Sequence, residues 1–439
     1  MISLGCAKNR VDTEVMLALL QQRGWVPSPT DEADVVVVNT CTFIREAQDE
    51  SIETILEMAG AKKEGRCRRL VVTGCLPQRY GSELSPELPE VDLFLGTGEV
   101  PRIADFLENL LAEEPRERVH IGSPEYLYDH RTPRILTSPP GSMYLKITEG
   151  CSNLCSYCII PTVRGRLRSR APSSVWEEAK QAVSQGIKEI ILIGQDITQY
   201  GRDRSDGADL VTLLRRLVSL DGLRWIRLLY AHPAHLTPEI IEGIAQEEKI
   251  CKYLDLPIQH IDDRILQAMN RKVTEREIRA LIDRLRERIP GIVLRTTLMV
   301  GFPGETEKSF QKLLGFVKET RFDRLGVFAY SREEGTPAAG MKGQVGEKTK
   351  ARRQHQIMAL QKEISRQKQK ELRGAQLQVL IERPAKAGGI LWEGRTEGQA
   401  PEVDGLTLIT KGEARPGEMV KVLITDSTVY DLYGEIIES

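Results

Sequence analysis

Over residues 1–118 short apolar runs alternate with amphipathic stretches. MISLG leads into a helical pattern over 10–23, and DVVVV at 34–38 leads into another over 43–59. RLVVTG at 69–74 and VDLFLG at 91–96 complete the apolar runs, and PRIADFLENLLAEE after them places its apolar residues at helical spacing. This alternation predicts a parallel sheet with helices on its faces, a Rossmann-like unit over 1–118. The chain opens directly on the first strand, so a few residues of that strand are expected to be missing and the strand to be frayed. The stretch 119–141, of mixed charge and then Pro- and Ser-rich in RTPRILTSPPGS, is expected to be a linker.

A second series of strand candidates follows: MYLKIT (143–148), EIILIG (189–194), IRLLYA (226–231), YLDLPI (253–258), VLRTTLMVG (293–301) and RLGVFAY (324–330). Helical segments lie between them, two opened by capping-box pairs, Ser174 with Glu177 and Thr274 with Glu277. Six strands with crossover helices predict an open (β/α)6 partial barrel over 142–372, with its reactive groups at the C-terminal ends of the strands. A highly charged helix over about 346–372 leads out of it. Over 373–439, VLIE, TLIT, MVKVLIT and TVYDLYGE, separated by turn residues, predict a small antiparallel β-barrel.

Composition narrows the chemistry. A chain of 439 residues with 61 basic and 63 acidic side chains does not have a surface built wholly for polyanions. No apolar run approaches the roughly 20 residues that cross a bilayer, and no signal-peptide core precedes Lys8, Arg10 and Asp12, so a cytoplasmic protein is expected. Eight cysteines are too few for a disulfide scaffold at this length and read instead as ligands or nucleophiles.

Three of them, Cys151, Cys155 and Cys158, fall within GCSNLCSYC directly after the first strand of the second series. A structural zinc site takes four protein ligands, and no fourth Cys or His is near, the flanking histidines being His130 and His232. A cubane 4Fe-4S cluster held by three thiolates keeps one iron open. CxxxCxxC with Tyr157 before its last cysteine resembles the signature of the radical S-adenosylmethionine enzymes. The resemblance implies that the open iron takes the methionine end of adenosylmethionine and that a deoxyadenosyl radical follows, able to remove hydrogen from unactivated carbon. Such a step is beyond acid–base side chains and falls to a cofactor.

Cys6, Cys41 and Cys75 each sit just past a predicted strand of the first unit, where a parallel sheet presents ligands along one edge. SLGCAKNRVDTE, VVNTCTFIREAQDES and VTGCLPQRY around them resemble the N-terminal domain of the methylthiotransferases. That likeness implies a second 4Fe-4S cluster on these three thiols, which presents sulfur to the carbon radical, with adenosylmethionine serving as both methyl donor and radical source. The resemblance spans the whole chain, ending in a TRAM-type barrel. Its protein-modifying branch, which methylthiolates the β-carbon of an aspartate in the twelfth small-subunit ribosomal protein, is the one resembled by SLGCAKNRVDTE, RGRLRSR (164–170), LLYAHP (228–233), PIQHIDDRIL (257–266) and YDLYGE. The other branch modifies an adenosine beside the tRNA anticodon. Residues 371–439 carry seven Lys or Arg against twelve Asp or Glu, which disfavours RNA phosphates and suits a basic ribosomal protein. The free protein and the assembling subunit are both open as substrate, and an electron donor such as flavodoxin or ferredoxin is implied. An iron-sulfur electron-transfer or RNA-binding protein is the reading from a different class, but it would want four protein ligands per cluster.

Other groups carry less. Gln195, Asp196 and Gln259 lie at strand C-termini, where they can hold the ribose or methionine moiety or merely satisfy turns. Gly301 and Gly304 in MVGFPGET bring backbone near a cofactor or serve only the turn. Tyr157 contacts adenine or packs beneath its loop. Arg164, Arg166, Arg168 and Arg170 line the cofactor path, bind an acidic group, or form a solvated face. His232, His235 and His260 read as hydrogen-bonded structural residues, and Cys67 and Cys251 as packing residues.

Overall fold

The computed structural model describes residues 1–65, 67–112, 117–386 and 388–438. Its first sheet has five parallel strands in the order β1-β2-β3-β4-β5. The elements are β1 (Ile2–Ser3), α1 (Ala7–Gln22), β2 (Val35–Thr40), α2 (Arg45–Lys63), β3 (Arg69–Gly74), α3 (Cys75–Glu87), β4 (Leu93–Leu95), α4 (Ile103–Ala112) and β5 (Val119–His120). The central strands β2 and β3 are buried along nearly their whole length, which explains their continuous apolar runs. The expected helix after Pro101 starts at Ile103; Glu113 and Glu114, placed in it from the sequence, lie outside the described residues.

The segment 119–141 does more than connect. Val119–His120 pairs with β4 as the fifth strand. Beyond it Tyr128 is buried, and Arg134 reaches Glu14 of α1 at 2.5 Å and Glu178 at 2.6 Å. Two carboxylates from separate units thus converge on one guanidinium carried by the connecting chain.

The second sheet is open and wholly parallel, in the order β13-β12-β11-β10-β9-β6. The unit begins with β6 (Ser142–Lys146), then β7 (Thr148–Glu149) and β8 (Arg168–Ser169), which pair antiparallel as a separate two-stranded sheet with α5 (Ile160–Val163) between them, then α6 (Pro172–Ser184), β9 (Glu189–Ile193), α7 (Leu210–Val218) and β10 (Trp225–Leu228). It continues through α8 (Pro238–Gln246), β11 (Ile250–Asp255), α9 (Asp263–Ala268), α10 (Glu275–Arg288), β12 (Val293–Val300), α11 (Glu307–Thr320), β13 (Arg324–Ala329) and α12 (Glu347–Glu371). Thr274 and Glu277 form the expected capping box on α10. Ser174 does not cap α6. Pro172, whose fixed φ suits the first helical position, starts that helix three residues earlier than a Ser174 cap would, and the Ser174 hydroxyl accepts from Arg170 instead.

Successive residues of these strands alternate between two environments. Met143, Leu145, Ile190, Leu192, Ile226, Ile250 and Leu254 join the core beneath the outer helices. Their neighbours Tyr144, Ile191, Ile193, Trp225, Cys251 and Tyr253 face a different cluster, completed by Ala7 and Val11 of α1 and by Leu380 and Ala400 of the last domain. The inner face of the partial barrel is therefore filled by the other two units.

The C-terminal unit is a closed five-stranded barrel of β14 (Gln376–Pro384), β15 (Trp392–Thr396), β16 (Thr407–Lys411), β17 (Met419–Ser427) and β18 (Leu432–Glu438), ordered β14-β15-β16-β18-β17. The sequence pattern suggested antiparallel pairing throughout, but closure is made by a parallel pairing of β16 with β18. The barrel docks through buried charge. Arg395 holds Glu189, the first residue of β9, and Glu382, both at 2.6 Å, and Arg227 meets Glu189 at 2.7 Å. Arg395→Ala leaves Glu382 and half of Glu189 without a cation in a water-free interface. Unfolding in denaturant is expected to show a loss of about 3–5 kcal/mol; a midpoint equal to that of the parent chain would refute this.

Candidate functional site

Lys146 ends β6, and the chain turns through β7 and Gly150 into the three-cysteine loop. Gly150 has φ +74°, and a Cβ there would lie 2.1 Å from the Arg166 carbonyl, so the turn tolerates only glycine. The loop is tied at its far side: Ser156 Oγ donates to the Ala268 carbonyl at 2.7 Å and Asn270 Nδ2 to the Leu154 carbonyl at 2.8 Å. Cys155 is buried and Cys151 and Cys158 are half-buried, all three as free thiols. Burial pushes Cys151 up to about 11 and Cys158 up to about 12. Arg271 donates to Cys155 Sγ at 3.6 Å and to the Tyr157 hydroxyl at 3.4 Å. Tyr157 also packs edge-on to Phe302, with ring centroids 6.5 Å apart, and so buttresses the loop.

The second triplet is assembled by the first sheet. Cys6 precedes α1, Cys41 follows β2 and Cys75 opens α3, so all three occupy the strand C-terminal edge. Gly5 and Gly74 make the approach possible: a Cβ on Gly5 would lie 2.6 Å from Cys41 Cβ, and one on Gly74 2.4 Å from Asn39 Oδ1. Burial pushes Cys41 up to about 12, and the Cys6 and Cys75 thiols add to it. Cys6 moves the other way, because Lys8, Arg164 and the backbone N–H groups of Asn9 and Lys8 outweigh its burial.

Among the described residues, the one group of three His, Cys, Asp or Glu whose ligand atoms all lie within 4.8 Å of one another is Asp196, His232 and His235. Neither cysteine triplet is drawn together that closely. Three sulfurs on one zinc, each about 2.3 Å from the metal, could be no more than about 4.6 Å apart. Neither set therefore has the spacing of a single zinc site, and thiolates are the donors an iron-sulfur cluster takes. Thiols that burial pushes up, as it does Cys41, Cys75, Cys151 and Cys158, become ligands only when a cationic centre compensates their charge.

The remaining candidates divide. Gln195 Nε2 donates to Glu149 Oε1 at 2.6 Å, while its Oε1 is buried without a partner. Asp196 caps the turn at Ile197–Gln199 and accepts from Asn153 and His235, both at 2.8 Å. Burial opposes its charge, but His235, His232, Thr198 and Asn153 hold the carboxyl well below the usual range. Gln259, at φ +70°, is bound to β12 through its backbone, accepting from Met299 N–H at 2.8 Å and donating to the Thr297 carbonyl at 2.9 Å. Gly301 has a packing reason of its own: a Cβ there would be 2.3 Å from Lys350 Cγ of α12. Arg164 and Arg170 are buried and ion-paired rather than part of a solvated face, whereas Arg166 is exposed. Cys67 and Cys251 pack in two hydrophobic clusters.

Sequence reasoning missed Lys8, Glu149 and Arg271, and it left His232 as a structural residue. Lys8 and Glu149 each lie two residues from a cysteine and His232 follows β10, but Arg271, after α9, carries no such sequence signal. His232 Nδ1 accepts from Ala234 N–H, so its proton is on Nε2, which is buried without a partner.

Residues 145–317 match the Radical SAM superfamily, residues 374–437 the TRAM domain, and residues 1–96 the Uncharacterized protein family UPF0004. A six-stranded open sheet with three thiols after its first strand is the architecture of a radical S-adenosylmethionine enzyme. The fold is similar to that of the radical S-adenosylmethionine methyltransferase TsrM from Kitasatospora setae, solved with cobalamin and a 4Fe-4S cluster bound, at TM-score 0.53 and 18% identity over 76% of this chain and 74% of that one. Ribosomal protein uS12 methylthiotransferase RimO of Geobacter sulfurreducens is 53% identical over 100% of this chain and 98% of its own length. That of Heliobacterium modesticaldum is 52% identical over 99% and 94%. The chain belongs to the ribosomal protein uS12 methylthiotransferase family.

His232 is expected to make the fold sensitive to acid. Burial, with Arg271 nearby, pulls its imidazole down from 6.5 to about 2. The unfolded chain binds this proton more readily, so the contribution to stability is complete above pH 6.5 and is lost as pH falls toward 2. The slope is about 1.4 kcal/mol per pH unit. Denaturant titrations between about pH 7 and 5 should show a shallower decline for His232→Gln than for the parent chain. Parallel declines would count against it.

Proposed function

We propose that this chain methylthiolates the β-carbon of an aspartate in ribosomal protein uS12. The observation that carries this reading is the presence of two separate three-thiol sets, on two units, joined across one buried interface. Cys151, Cys155 and Cys158 would hold one 4Fe-4S cluster, and Cys6, Cys41 and Cys75 the other. When bound, the clusters and adenosylmethionine supply the radical that takes hydrogen from an unactivated carbon, together with the sulfur and the methyl group.

The protein's own groups prepare that site. Gly150 and the Ser156 and Asn270 contacts hold the thiol loop in one shape. Gln195 Oε1 and His232 Nε2, an acceptor and a donor without protein partners, offer hydrogen bonds to a polar cofactor beside the loop. Asp196, kept ionised, orients His235 and Asn153 around them. Residues 1–118, 142–372 and 373–439 then act as the sulfur-donor, radical and substrate-facing units.

Protein is favoured over tRNA as substrate. Of the seven basic residues in 371–439, Arg395 is sealed in the interface, Arg373 pairs with Asp426 and Arg383 with Glu393. The twelve acidic residues of the same stretch outnumber the basic ones, so the unit carries no net positive charge for phosphates. A low-potential donor such as flavodoxin or ferredoxin would supply the electron. No described helix is long and apolar enough to cross a membrane, and a cytoplasmic location is part of this proposal.

Anaerobic reconstitution is expected to give about eight irons per chain. Cys151→Ala should halve that content and abolish adenosylmethionine cleavage. Four irons in the parent chain, or cleavage surviving the substitution, would defeat the two-cluster reading. When uS12 and an anticodon-loop RNA compete for the enzyme, mass spectrometry should find the methylthio group on the protein; modification of the RNA alone would sink the substrate assignment.

A further inference from the structure

Arg164 is carried by the chain just after α5, in the radical unit, yet its side chain ends in the first unit. Its Nε donates to Cys75 Sγ at 3.3 Å, one terminal nitrogen meets Asp12 at 2.5 Å, and the other donates to Asn9 Oδ1. Glu149, two residues before Cys151, lies 3.5 Å from the same guanidinium. Lys146 closes the set, touching Asp12 at 2.5 Å and Glu149 at 2.7 Å. Two cations and two carboxylates, each no more than 5% exposed, thus balance one another where the units meet.

A purely structural ion pair would spend its donors on carboxylates. Here the Nε–H is aimed at sulfur, while charge balance is achieved by the terminal nitrogens and Lys146. Hydrogen bonds to cluster sulfurs set reduction potential, because they favour the more negative, reduced state. The other triplet has a counterpart in Arg271, which donates to Cys155 Sγ at 3.6 Å.

Resting on the two-cluster reading above, the geometry points to Arg164 as a positioning residue that fixes Cys75 and raises the reduction potential of the cluster held by Cys6, Cys41 and Cys75. It does so from the radical unit, so that potential depends on the two units being docked.

The test uses the full chain with Cys151, Cys155 and Cys158 all replaced by Ala, so that one cluster is observed. Redox titration followed by electron paramagnetic resonance gives its midpoint. Arg164→Met in that background should retain about four irons and shift the midpoint downward. Arg164→Lys keeps the charge beside Asp12 but cannot aim an Nε–H at sulfur; it should shift the midpoint in the same direction by less, and it carries the test if the Met variant does not fold. Arg166→Met, exposed and two residues away, should leave the midpoint where it was. An unchanged midpoint in an iron-replete Arg164→Met or Arg164→Lys chain overturns the role of Arg164 and leaves the two-cluster reading intact. A parent triple-Ala chain without iron overturns both.

Discussion

The architecture depends on four buried charges, Asp12, Lys146, Glu149 and Arg164, where the first sheet meets the second. Charges removed from water are tolerated only if each finds an opposite charge at hydrogen-bond distance. The requirement is strict because any sliding of one unit over the other would strand a charge. Two ends of two parallel sheets, each a natural place for ligands, are thereby held facing one another. The cost of burying the set is large, and its return is register rather than stability.

The same device recurs at the opposite end of the sheet. Glu189, Arg227, Arg395 and Glu382 lock the barrel to the start of β9 and β10. Tyr253 adds a 2.8 Å hydrogen bond to Asp404, and Ser365 of α12 reaches the Val429 carbonyl at 2.7 Å. The inner face of the partial barrel is thus filled by the small barrel and α1 together. The apolar cluster of Ala7, Val11, Tyr144, Tyr253, Leu380 and Ala400 draws on all three units. Chemistry at the thiol loop is accordingly held by a single packed body, with electrostatic pairs choosing the docking geometry and apolar contact supplying most of the driving force.

Much of this was legible beforehand, for identifiable reasons. Strands buried on both faces read as apolar runs, helices between them as amphipathic repeats, and a cysteine just after such a run lands on the reactive edge of a parallel sheet. What misled were rules that ignore competition. Ser174 has the residues of a helix cap, but Pro172 starts the helix earlier and Arg170 takes the hydroxyl. For the alternating arginines of RGRLRSR a solvated face was one of three open readings, yet Arg164 points inward to Asp12 of the first unit and Arg170 to Glu178 of α6. The 119–141 stretch has a linker's composition, and still Arg134 is gripped from both sides.

By itself the sequence determined the order and type of the main strands and helices, the two thiol triplets and the overall acidity of the last unit, because these follow from local periodicity, spacing and composition. Only the tertiary structure decided which charges are buried, which glycines are obligatory and which polar atoms are unpartnered. Those properties belong to pairs of groups far apart in the chain, such as Arg164 with Cys75 or Arg395 with Glu189. Their energies depend on a water-free contact that does not exist until the units dock.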